Sequence, residues 1–284
     1  MPESISSPAP EGGGFLSAAT GLAAPLGSVE QPAPRCRTSQ ALSSSNLQMF
    51  YQSKGKGTLL LQNSFFLEKM IAAMKYINLE KLASAPVAHE PFEYLIVKEF
   101  VKGENKESLL ADFPQIQKPG VFSLSELKYG PSFSSFIEEL ESHALTEILQ
   151  EKFNIDLEGK PILTTVRGWC SKDRDGNIHT DSEWKLVTIL VYLNEEWEPQ
   201  GGRLRLLRSK NINDYAAEVP PEWGSLIAFK RSDNSFHGHL PFEGRRRVVM
   251  LNWVTSEEKL KQELGRHNFS SLFKKIVPFT IKRN

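Results

Sequence analysis

The stretch Leu186–Leu193 reads Leu-Val-Thr-Ile-Leu-Val-Tyr-Leu, apolar at every position except Thr188. It falls far short of the roughly 20 residues a membrane helix needs. Its content suits a β-strand covered on both faces, so the fold must supply a layer on each side of it. Strand-like neighbours surround it. Ile162–Trp169 is rich in β-branched residues and ends on an aromatic, and Asp173–Asn177 is a turn marked by Asp175-Gly176. Gly201-Gly202 opens Arg203–Leu207, Pro220–Gly224 turns the chain into Ser225–Phe229, and Arg247–Val254 is the last clear strand. Short strands at this spacing, with turn signals between them, predict a sandwich or barrel.

The chain before this region differs in texture. Residues 1–62 are dense in Ser, Ala, Gly and Pro, with too little periodic apolar surface to offset the entropy of ordering, and are expected to be disordered. Glu3 and the lack of a basic start before an apolar core argue against a secretory signal; Glu3, Glu11 and Glu30 argue against a transit peptide; Met70 and Met74 are alternative starts. Residues 65–83 suit an amphipathic helix, and Pro91–Val97 a strand with Pro91 at its first position. After Pro131, the spacing of Phe133, Phe136, Ile137, Leu140, Leu145, Ile148 and Leu149 predicts one or two amphipathic helices over about 132–152. Glu257–Leu264 suits a further helix.

Lys plus Arg and Asp plus Glu are balanced at 34 each over 284 residues, which argues against a strongly basic nucleic-acid binder. Of the two cysteines, Cys36 lies in the low-complexity segment, so a structural disulfide is not expected. A reducing, cytoplasmic setting is the simpler reading. Cys170 suits a small core residue.

The chemistry concentrates in Ile178–Val254. His179 and Asp181 stand two apart, and on an extended segment residues i and i+2 point to the same side. A third ligand, His237, completes two histidines and one carboxylate on one triangular face, an arrangement that leaves positions open and suits non-haem iron(II). His239, two residues on, competes as the distal ligand.

In order and spacing, residues 162–254 resemble the iron(II)/2-oxoglutarate-dependent dioxygenases, in particular the prolyl 4-hydroxylase-like branch. The matching positions are His179-Thr180-Asp181, Val187-Thr188 through Tyr192-Leu193-Asn194, Gly201-Gly202-Arg203-Leu204, Gly224–Phe229, His237, Pro241, and Arg247 leading to Trp253. The resemblance implies a mostly β (α+β) fold with a double-stranded β-helix, or jelly-roll, core and flanking helices. It implies that His179, Asp181 and His237 bind iron, and that Arg247 holds the far carboxylate of 2-oxoglutarate through its planar guanidinium. Tyr192 would donate its hydroxyl to the same carboxylate, and Thr188 would line the site. Arg245 and Arg246 rival Arg247. Alternation groups Arg247 with Val249, Leu251 and Trp253 and sets Arg246 on the other face, which favours Arg247. Arg167 and Trp169 are further candidates to face the site.

The expected layout is a disordered extension over 1–62, a helical and mixed support over 63–160, the catalytic core over 161–256, and a helix and tail over 257–284. The resemblance implies hydroxylation coupled to conversion of 2-oxoglutarate and O2 into succinate and CO2, with ascorbate as reductant. Asp181 argues against halogenation, whose practitioners lack that carboxylate. The substrate is expected to be a peptidyl residue. A small metabolite is the alternative within the same chemistry, and a non-catalytic metal-binding jelly roll the alternative outside it. Neither nucleic acid nor membrane is an expected partner.

Overall fold

The computed structural model describes residues 74–265. The expectations for residues 1–62 and for Cys36, and part of those for 65–83 and 257–284, lie outside the described residues. Strands β1 (Tyr94–Val97), β2 (Phe122–Ser123), β3 (Ile162–Cys170), β4 (Lys185–Tyr192), β7 (Leu226–Lys230) and β9 (Gly244–Val254) form a six-stranded antiparallel sheet, in the order β1-β7-β4-β9-β3-β2. Strands β5 (Leu204–Leu207), β6 (Tyr215–Val219) and β8 (His237–Gly238) form a second sheet, ordered β6-β5-β8. These antiparallel sheets with flanking helices are the jelly-roll architecture that the strand pattern and the resemblance led us to expect.

Among the described residues, four α-helices accompany the sheets, α1 (Leu79–Ser84), α2 (Lys106–Asp112), α3 (Pro131–Leu140) and α4 (His143–Phe153), and residues 257–265 are also helical. Helix α3 starts on Pro131, where the absent N–H is no loss, and Asp112 accepts the Ser132 N–H at 2.7 Å. Its Phe133, Phe136, Ile137 and Leu140 are buried on one face. Helix α4 is capped by Ser142, which accepts the Leu145 N–H, and ends on Asn154 in the left-handed region. Of the stretch 65–83 expected to be helical, residues 65–73 lie outside the described residues, and among the described ones helix starts at Leu79. Residues 75–77 lie outside the helix, tied by their N–H groups to the Glu139 carboxylate at 2.6–3.1 Å. The strand expected from Pro91 begins at Tyr94.

The covered strand behaves as its composition requires. Val187, Ile189 and Val191 of β4, with Val249, Leu251 and Trp253 of β9, pack into one core with Phe133, Phe136, Leu145 and Leu149 of the helices. Leu190 and Tyr192 of β4 and Val248 of β9 point the other way, into a second core with Leu204 and Leu206 of β5. The main sheet is thus sandwiched between helices and the small sheet, and the functional side chains sit on the small-sheet side.

Asn194 stitches the end of β4 to its neighbours. Its side-chain N–H donates to Pro221 O at 2.7 Å and Arg247 O at 3.0 Å, and its oxygen accepts the Arg247 N–H at 2.6 Å. Removing a buried amide with three partners strands backbone groups away from water. Asn194→Ala is expected to cost about 2–3 kcal/mol, seen as a lower urea midpoint at unchanged slope.

Candidate active site

The three residues singled out at the start of the constellation converge. His179, on an extended loop, and His237, in β8, exchange both backbone hydrogen bonds: His179 N–H to His237 O at 3.1 Å and His237 N–H to His179 O at 2.9 Å. This bridge brings the two rings to 4.3 Å between centroids. Asp181 follows two residues on, and one ligand atom from each of the three lies within 4.8 Å of the others. Among the described residues this is the one such group of His, Cys, Asp and Glu.

Protonation and orientation suit metal binding. His179 Nδ1 donates to Asn177 O at 2.8 Å and His237 Nδ1 donates to Ser235 O at 3.0 Å. Each ring therefore keeps its Nε2 lone pair free. Burial pushes His237 down to about 4, so its ring is neutral at pH 7. Burial pushes the Asp181 carboxyl up, but the Lys185 ammonium, His237 and the hydrogen bonds from Lys185 and Thr188 outweigh it and hold the group below 3.8. Two imidazoles turned by main-chain carbonyls and a carboxylate are a donor set that fits a divalent metal.

Thr188 lines the same cavity and donates to Asp181 Oδ2 at 2.5 Å; Asn252 Nδ2 in turn donates to Thr188 Oγ1 at 2.9 Å. Lys185 donates to the other carboxylate oxygen at 2.8 Å. The cavity has a volume of about 370 Å³, within the usual range for a small-molecule site. Leu163, Leu190, Leu204 and Met250 supply its apolar wall.

The expected arginine is one residue out. Arg247 does not reach this cavity. Its guanidinium lies over Phe113, 5.6 Å from the ring centroid, and lines a separate small cleft with Trp169 and Arg245. Arg246 takes the inward place, 6% exposed and lining the cavity. Alternation separated the two correctly. It gave the wrong face because Val249, Leu251 and Trp253, which share a side with Arg247, pack on the helices, whereas Arg246 shares a side with Val248, Met250 and Asn252. Arg246 Nε donates to Gly202 O at 2.9 Å and Nη2 to Tyr192 Oη at 3.3 Å. Among the described residues, no carboxylate lies within ion-pair distance of it. A buried guanidinium without a counter-ion is costly unless an anionic ligand supplies one.

Tyr192 also stands elsewhere than expected. It is fully buried beneath Arg246, its ring 5.2 Å from the guanidinium carbon, and does not itself line the cavity. Burial pushes its phenol up. Of the two β3 candidates, Arg167 lines the cavity, paired with Asp175 at 2.5 Å, while Trp169 does not. A bulge between Arg167 and Trp169 breaks the alternation and turns the indole into the other cleft. His239 lines the cavity apart from the ligand group: its Nδ1 donates to Leu240 O at 2.8 Å, and its Nε2 lies 3.9 Å from Cys170 Sγ. Burial pushes the Cys170 thiol up to about 11, which leaves it no nucleophile. Lys185 and Asn252 were the residues missed, and Arg246 was weighed but placed behind Arg247. Lys185 stands four after Asp181 and Arg246 nine after His237, but several charged residues share such spacings.

The 2OG-Fe(II) oxygenase superfamily profile matches residues 169–255, the stretch that carries all three ligand candidates and Arg246. Residues 169–255 form a 2OG-Fe(II) oxygenase domain. Such an oxygenase takes Fe(II) and 2-oxoglutarate. The histidine pair with Asp181 fits the metal, and the Arg246 guanidinium, without a carboxylate partner among the described residues, fits a carboxylate. No curated protein matches the chain. Among solved structures, similarity extends to a Pseudomonas putida prolyl-4-hydroxylase (16% identity, 63% of this chain, 93% of that chain, TM-score 0.41). It extends also to a Trichoplax adhaerens prolyl hydroxylase in complex with a peptide fragment of the hypoxia inducible factor oxygen degradation domain (16%, 73%, 97%, 0.43). Among the described residues, no helix is long and apolar enough to cross a membrane.

His237 and His239 are both held near 4, against 6.5 unperturbed. The unfolded chain therefore binds more protons than the folded one between those values. Stability is expected to be complete above pH 6.5 and to be lost as pH falls toward 4, with up to two protons taken up on unfolding. Urea unfolding of the metal-free protein across that range checks this, and His239→Gln should remove about half of the slope.

Proposed function

We propose that this oxygenase is a hydroxylase of a peptidyl residue, with His179, Asp181 and His237 as its iron ligands and Arg246 as the seat of 2-oxoglutarate. The observation that carries the reading is the pairing of two features in one cavity: a three-donor cluster, and a buried guanidinium with no counter-ion among the described residues. When bound, Fe(II) and 2-oxoglutarate supply the oxidising power, with decarboxylation to succinate and CO2 coupled to insertion of one oxygen atom into a C–H bond.

The chain's own residues supply position and charge. Gly202 O and Tyr192 fix the Arg246 guanidinium, so its remaining N–H groups present one face to the co-substrate carboxylate. Thr188 holds Asp181, and two backbone carbonyls hold the imidazoles. Leu163, Leu190, Leu204 and Met250 exclude water from the apolar part of the co-substrate. His179 is exposed where Asp181 and His237 are buried. Access from the His179 side, past Asn177 and Trp184 on the rim, supports a substrate presented on a chain. The free, buried Cys170 supports a reducing, cytoplasmic setting, and ascorbate is the reductant we expect to sustain turnover.

Succinate formation with Fe(II), 2-oxoglutarate and ascorbate tests the reading, with peptide and small-molecule pools compared as substrates. Asp181→Ala and His237→Ala should each abolish it while the far-ultraviolet circular dichroism is retained. Arg246→Ala should raise the half-saturating 2-oxoglutarate concentration about 100-fold, the scale of a lost buried charge pair. Arg247→Ala should raise it less than about threefold. A larger effect from Arg247 would move the carboxylate seat to the other face. Full activity of either ligand variant would remove the metal assignment, and turnover only on small molecules would replace the peptidyl substrate.

A further inference from the structure

Both oxygens of the Asp181 carboxylate are engaged, by two groups of different character. Oδ2 is held from inside the sheet. Asn252 Nδ2 donates to Thr188 Oγ1 at 2.9 Å and to Leu251 O at 3.1 Å, which fixes the amide with its nitrogen toward Thr188. With its oxygen accepting from Asn252, Thr188 gives its one proton to Asp181 Oδ2 at 2.5 Å. All three residues are buried, and β4 and β9 pair Thr188 with Asn252 directly. This chain has one polarity and no mobile member.

Oδ1 is held by Lys185 Nζ at 2.8 Å. Lys185 is a long, flexible side chain on the first residue of β4, partly exposed, and it borders the cavity; its ammonium lies 5.8 Å from the Trp184 ring centroid. Of the two oxygens, Oδ1 is therefore the one that can change partner. A divalent ion bound there would face a positive charge within a few ångströms, a repulsion that a part-buried site screens poorly.

We propose that Lys185 is the counter-ion of the metal-free site, and that metal loading displaces it from Asp181 Oδ1 while Asn252 and Thr188 keep Oδ2 in place. This rests on the reading of His179, Asp181 and His237 as metal ligands. Asp181 then has a divided task. Oδ2 is a fixed anchor that orients the carboxylate, and Oδ1 is the exchangeable oxygen offered first to an ammonium and then to the metal. Lys185 and Thr188 are positioning residues: each acts through Asp181.

The test is anaerobic titration of metal-stripped full-length protein with Mn(II), followed by calorimetry and by thermal unfolding. Lys185→Met keeps the apolar stem and removes the charge. It should lower the melting temperature of the metal-free protein and bind Mn(II) about tenfold more tightly, since a partly buried ion pair no longer has to be broken. Thr188→Val should weaken Mn(II) binding about tenfold through loss of the anchoring hydrogen bond to a charged group, and Thr188→Ser should restore it. Unchanged or weaker Mn(II) binding by Lys185→Met overturns the counter-ion role, since Lys185 would then be supporting the bound state. Wild-type affinity in Thr188→Val overturns the anchor. Asp181→Asn and His237→Ala are titrated alongside: if the wild type binds no better than these two, the ligand assignment itself has failed, a result distinct from either of the others.

Discussion

The reciprocal backbone pair between His179 and His237 is the contact on which the site depends. It is an isolated bridge that joins a loop to a two-residue strand, outside any long ladder. Neither partner is held firmly by its own element. Strand β8 is anchored instead through β5, where Leu206 pairs with His237 and Arg205 with Gly238. Close packing keeps the bridge in register: a β-carbon on Gly238 would meet Gly176 O at 2.8 Å, and one on Gly176 would meet His239 Nδ1 at 2.6 Å. The loop carrying the first two ligand candidates is thus pressed against the strand carrying the third by backbone that tolerates no side chain. The candidate metal-binding face comes from main-chain geometry first and from side-chain chemistry second.

Polar groups in the cavity follow one rule: each is oriented by a neighbour that is itself fixed. Main-chain carbonyls direct the two imidazoles, Thr188 holds Asp181, Asn252 directs Thr188, and Gly202 O directs Arg246. Asp175 accepts from Arg167 and from the Ser171 N–H, and burial is outweighed so that it stays ionised. Buried polar groups arranged in this way retain little rotational freedom, which is the condition for a site organised before its ligands arrive.

Much of this was legible in the sequence, because the residues concerned answer to local rules. The doubly apolar run at 186–193 announced a sheet covered on both sides, and the i, i+2 pair His179 and Asp181 needed only extended backbone to share a side. Helices α3 and α4 followed from the spacing of Phe133, Phe136, Ile137 and Leu140 and from Pro131. The misses have a common origin. Period-two alternation divides a strand into two sets of side chains but does not name the set that faces the cavity. In β9 the more apolar set packs on the helices, so the site fell to the mixed set that includes Arg246 and Asn252. For Trp169 the cause was a bulge, which no local composition announced. Lys185 was passed over because a lysine four residues from an aspartate is ordinary on a protein surface, and only the tertiary structure sets that pair at the rim of a cavity.

Arg246 is anchored at Gly202 O and Tyr192 Oη, groups that belong to the walls of the jelly roll. It cannot slide along the cavity, and the backbone bridge equally fixes the donor cluster at the other end. On the proposed reading, these two fixed points act as a ruler for the co-substrate. A 2-oxo diacid held at both points would be selected by its length, because neither point can move to meet a shorter or longer molecule.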